Sequence, residues 1–170
     1  GKSLYPLKPG VTGSAYITAD EVHRLWLSRT WGPGARYVAF VGMNPSAARP
    51  DMDDPTVIRD CGFAQRWGYD GYFKLNYATY RARDPKQLLR SDICIAHPDN
   101  LHCVRKIAGR CSRVVLAYGA VHPAHRALVK QTLAAIREVK TEIYCLGRTK
   151  SGDPKHTLYL RSDTPLELFA

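Results

Sequence analysis

The chain has 170 residues, 45 % of them hydrophobic, and carries 25 Lys+Arg against 15 Asp+Glu for a formal charge of +10. Such a length suits one domain over residues 1–170 with a sizeable core, and the hydrophobic content excludes a disordered chain. The basic excess favours a polyanionic partner, nucleic acid first.

No apolar stretch reaches the roughly 20 residues needed to cross a bilayer, and no signal-peptide core is seen near the N-terminus. A cytoplasmic protein with no membrane partner is therefore expected. Five cysteines without a C-x-x-C pair fit a reduced compartment. Cys94, Cys103 and Cys111 match no familiar metal spacing, so neither metal nor cofactor is expected.

In chain order, "AYIT" and "HRLWLSRTW" read as two early strands. "RYVAFVGM" (36–43) is a continuous apolar run, the mark of a strand covered on both faces. A polar cluster follows at once in "NPSAARPDMDDPT" (44–56). From Pro55 to Trp67 the pattern turns helical, with Asp54 and Pro55 as a good N-cap and first-turn pair. "GYFKLNYATY" (71–80) is the next strand, followed by short helices near Asp84–Arg90 and over about Asp99–Ala108. "SRVVLAYG" (112–119) is a third buried strand. His125 to Val139 carries apolar residues at helical spacing, "EIYCLG" (142–147) is a fourth buried strand, and "TLYLR" (157–161) a short last one.

Strands alternating with helices predict an α/β fold: a three-layer α/β/α sandwich on a mainly parallel four-stranded sheet with antiparallel additions. Open sheets of this kind bind ligands beyond the carboxyl ends of their strands. Asn44, Asn76, Gly119, His122 and the segment from Arg148 to His156 all follow strand ends, so they converge on one rim.

Each polar residue also has an ordinary reading. Asn44-Pro45-Ser46 can be a turn, Asp54 a helix cap, and His156 an exposed surface histidine. Trp67, Phe63 and Tyr72 read as core. Strand alternation sends one of each neighbouring pair, such as Tyr77 and Tyr80 with their neighbours, toward the rim.

Three motifs carry a resemblance. "GMNPS" (42–46), "KLNYATY" (74–80) and "KHTLYL" (155–160) resemble motifs of the uracil-DNA glycosylase superfamily. More closely, "NPSAA", "DDPT", "GFAQRWGY", "LNYATYRARDP", "LAYG" and "CLGRTKSGDPKHTLYL" resemble the DUF1643 family of unknown function, from about residue 22 onward. The glycosylase resemblance implies hydrolysis of the N-glycosidic bond of a base flipped out of single-stranded or duplex DNA by a monomeric enzyme. Base excision in phage defence or in phage DNA modification is the expected setting.

On that reading Asn44 holds the attacking water, and Asp51 or Asp53 deprotonates it or faces the cationic sugar. Asp53 is the stronger candidate, since Asp54 is accounted for as a cap. His156 donates toward the departing base. Asn76, with a donor and an acceptor, reads the base edge, and Met43, Ser46, Tyr77 and Tyr80 complete the base pocket. Arg81, Arg83, Arg148, Lys150 and Lys155 grip phosphates.

Two departures from the uracil enzymes, the acidic segment 47–54 and Thr157 after His156, point to a larger or modified pyrimidine. A non-catalytic nucleic-acid-binding module, and a hydrolase or transferase of free nucleotides, remain alternatives.

Overall fold

Alternating apolar runs and polar breakers become strands and helices in the computed structural model, which describes residues 3–170. The order is β1 (Tyr5–Pro6), β2 (Thr12–Ile17), β3 (Arg24–Thr30), β4 (Tyr37–Gly42), β5 (Met52–Asp53), α1 (Pro55–Arg66), β6 (Gly71–Asn76), α2 (Asn100–Arg110), β7 (Arg113–Leu116), α3 (Arg126–Arg137), β8 (Tyr144–Cys145) and β9 (Glu167–Leu168). Short 3-10 turns occupy Pro85–Leu89 and Pro123–His125.

The chain is an α/β fold built on a mixed seven-stranded sheet of order β2-β3-β6-β4-β7-β8-β9. β4 pairs in parallel with β6 and β7, and β7 with β8. β2, β3 and β9 add antiparallel edges, β3 joining the parallel strands through β6.

The burial of β4 explains its position. Val38 to Val41 are all fully buried, because helices cover both sheet faces. On one face Val57, Phe63 and Ala64 of α1 pack with Val38, Phe40, Tyr72 and Val115. On the other, Val104 and Ile107 of α2 and Ala135 and Ile136 of α3 pack with Ala39, Val41, Leu75 and Val114. As read from the sequence, Asp54 caps α1: its Oδ1 accepts the Val57 N–H at 2.9 Å, with Pro55 in the first turn.

Two expectations change. "TLYLR" forms turns, and the last strand is β9 instead. "EIYCLG" contributes only the two-residue β8, since beyond Cys145 the chain turns away at Gly147, where φ is +102°. The acidic stretch contributes β5, which pairs with β1 in a separate two-stranded sheet, Tyr5 opposite Asp53.

Candidate active site

Parallel pairing sets the site. Gly42, the last residue of β4, lies opposite Asn76, the last residue of β6, so the segments after both strands leave from one edge. A third segment folds back over that edge. Gly119 donates its N–H to the Pro154 carbonyl at 2.8 Å, Lys155 donates to the Gly147 carbonyl at 2.9 Å, and Arg148 bridges to Pro154. This turn carries His156 to the carboxyl ends of the strands.

The result is a cleft of about 190 Å³ that Met43, Asn44, Ser46, Asn76 and His156 line together. It is smaller than the roughly 300–1,000 Å³ that take a drug-sized ligand whole. It suits one small head group.

Some of its buried polar atoms are unused. Among the described residues eight buried side-chain nitrogen and oxygen atoms lack a partner. Four of them belong to cleft-lining residues: Arg24 Nε, Ser46 Oγ and both amide atoms of Asn76. Asn76 is 1 % exposed, and leaving such groups unsatisfied costs about 1–3 kcal/mol each. A ligand with donors and acceptors would remove that cost.

Asn44 is held differently. Its Nδ2 donates to the carbonyls of Pro45 and Ala82, both at 2.9 Å, which locks the side chain and leaves Oδ1 as an acceptor. His156 Nδ1 accepts the Leu158 N–H at 3.0 Å. A neutral ring then carries its proton on Nε2, the nitrogen able to donate.

Several assigned residues are elsewhere. Asp53 is turned away from the cleft: its Oδ1 receives Arg29 Nε at 2.7 Å, and Arg29 is fully buried. The β1–β5 pairing holds it there. Asp51 is exposed at the tip of the same turn and does not line the cleft. Tyr77 is fully buried on the opposite sheet face, with its hydroxyl 3.2 Å from His125 Nδ1. As the neighbour of Asn76 it must point the other way. Tyr80 packs edge-on against His23 at 6.0 Å, also outside the cleft.

Arg148 is committed to structure, donating to the carbonyls of Gly152 and Phe169 and lying over the Phe169 ring. Lys150 and Lys155 are exposed but do not line the cleft. Arg83 lines it, and with Arg81 and Arg49 it also lines an adjoining groove that shares Ser46.

The sequence reading missed four charged residues. Asp54, taken only as a cap, also lines the cleft. Arg24 lines it while 2 % exposed, and donates from Nη1 to the Ala48 carbonyl at 3.0 Å. Burial lowers its pKa to about 10, against the pull of nearby Asp54, so it stays charged at neutral pH. Lys74 lines the floor, 5 % exposed, paired with Asp60 of α1 at 3.0 Å. Asp60 also accepts from Tyr72 at 2.5 Å and from Thr157, the residue after His156, at 2.6 Å. The available signal was a lysine within the apolar "GYFKLN" and an arginine within "HRLWL", since charges in buried strands need partners.

The site is therefore a small polar cleft at the carboxyl edge of a mixed α/β sheet, with a basic groove beside it. The DUF1643 family, described as proteins of unknown function, matches residues 24–158, and the chain belongs to that family. No curated protein and no solved structure matches it. Among the described residues no helix is long and apolar enough to cross a membrane, and no three His, Cys, Asp or Glu side chains gather as a metal site. All five cysteines are free.

Proposed function

We propose that the cleft receives one nucleobase turned out of DNA and that the protein hydrolyses its N-glycosidic bond, as a glycosylase-like enzyme. The observation that carries this reading is Asn76, with both amide atoms buried and unpartnered in the cleft. An amide offers one acceptor and two donors, which complements the edge of a pyrimidine. The resemblance of the three motifs to uracil-DNA glycosylases supports the same role. So does the parallel run β6-β4-β7-β8 at the centre of the sheet.

Charge agrees with a neutral ligand. Inside the cleft Lys74 is offset by Asp60 and Arg24 by Asp54, whereas Arg83, which the cleft shares with the adjoining groove, stands there with Arg49 and with Arg81, itself paired with Glu21. A base fits the first environment and its flanking phosphates the second.

In this mechanism Asn44 Oδ1 accepts from the attacking water and Asp54 takes its proton, in place of Asp53. His156 Nε2 donates toward the departing base. These preorganised groups act where charge develops.

Mass spectrometry of bases released from a panel of DNAs, heavily modified phage genomes included, tests the proposal. One base should be released by the parent protein and not by Asn44→Ala. Release from free nucleotides but not from DNA would favour a nucleotide hydrolase. Tight DNA binding with no released base would leave a binding module.

A further inference from the structure

Lys74 is buried at the cleft and bonded there to a single side chain, Asp60. Along β6, alternation puts Tyr72, Lys74 and Asn76 on the face covered by α1, and Lys74 and Asn76 both line the cleft. A carbon built on Gly42 would lie 2.7 Å from Asn76 Oδ1, 2.8 Å from Lys74 Cε and 3.0 Å from Lys74 Nζ. The amide and the ammonium therefore both pack against Gly42, side by side in the space that any larger residue there would take. The bond to Asp60 uses one of the three ammonium donors and leaves two for the cleft.

Asp60 is not spent on Lys74 alone. Its Oδ2 is shared with the Tyr72 hydroxyl, and its Oδ1 accepts from Thr157. Burial and Asp60 itself push the Tyr72 phenol well above its ordinary range, so Tyr72 remains a donor. One fully buried carboxylate thus ties the cleft floor to the segment bearing His156.

Resting on the base-pocket reading above, we infer that Lys74 is a further catalytic residue, the cation that takes up the negative charge of the departing base. Asp60 is the residue that positions it. In the reaction the C1′–N bond breaks and its electron pair stays on the base nitrogen. The water oxygen bonds C1′ and gives its proton to Asp54. The base leaves as an anion whose charge spreads to the edge atoms held by Asn76 and Lys74, and solvent later carries the proton from Asp54 to the base. Attraction to the ammonium grows as the bond breaks, so it favours the transition state over bound substrate. The buried setting strengthens it.

Binding of free bases to the whole protein tests this without knowing the natural substrate. Uracil, cytosine and the more acidic 5-nitrouracil would be titrated, with the ultraviolet spectrum of 5-nitrouracil reporting its ionisation. In the parent protein, bound 5-nitrouracil should ionise about one pH unit or more below the free base, a tenfold preference for the anion. Lys74→Met should abolish that preference while uracil still binds, and Asp60→Asn should weaken it. An unchanged or raised ionisation in the parent protein would overturn the inference, even were the variants not to fold. So would a preference that survives in Lys74→Met. Should no base bind, or inorganic phosphate bind in their place, the base-pocket reading itself falls.

Discussion

Asp53 and Asp54 are adjacent, yet the fold assigns them opposite work. Asp54 caps α1 through one oxygen and lines the cleft, whereas Asp53 neutralises the buried Arg29 on the far side of the chain. Asp54→Asn retains a good capping group but loses the charge that offsets Arg24, with which it forms no direct ion pair, so stability should fall by about 1 kcal/mol, less than for its neighbour. Base release should fall by about 10²–10³, the usual loss for one preorganised group. Asp53→Asn should do the reverse. It removes the negative charge beside the fully buried Arg29 and leaves that guanidinium only neutral acceptors, the new amide oxygen and the carbonyls of Ser28, Arg49 and Met52. That should cost about 1.5–3 kcal/mol with little effect on turnover. Melts beside single-turnover assays separate the two, and a catalytic defect confined to Asp53→Asn would refute the assignment.

At the scale of elements, the start of α3 carries a pH response. His125 is 3 % exposed in the turn that leads into α3, against the Tyr77 hydroxyl. Burial, with the like charge of His122 second, holds its pKa below the ordinary 6.5. The folded state thus binds this proton less readily than the unfolded chain. Its contribution to stability is complete above about pH 6.5 and is lost as pH falls through the lowered folded value. Burial also lowers His23, with His97 as a second cause, and its loss has the same sign. His125→Gln should therefore flatten part of the fall in melting temperature between about pH 7 and about pH 5. An unaltered slope would remove His125 from this account.

For the whole molecule, the charge of +10 matters through its placement. Arg49, Arg81 and Arg83 line one groove beside the cleft, while Arg148 is bound to the carbonyl and ring of Phe169. DNA affinity should fall steeply with salt, because each phosphate that a cation neutralises releases counterions. Replacing Arg49 and Arg83 by Ala should reduce the slope of log K against log salt by about 0.9 for each phosphate no longer neutralised. Arg148→Ala should leave the slope unchanged. Equal effects from both changes in a salt titration would place the phosphates outside the groove.

Local patterns were enough for much of this. The apolar run before Gly42, the helical spacing from Pro55, the Asp54-Pro55 cap and the alternation of strands and helices are short-range signals, legible because burial repeats with the period of each element. The convergence of Asn44, Asn76 and His156 followed from them, since parallel strands share a carboxyl edge. Only the tertiary structure could decide which charges meet. Asp60 and Thr157 lie 97 positions apart and touch, as Lys74 does with Asp60 across 14. The same packing draws Asp53 to Arg29 and sends Tyr77 into the core opposite Asn76. Periodicity states which face a side chain takes along one element; the partner waiting on that face depends on how distant elements pack, and a buried charge is stable only where one waits.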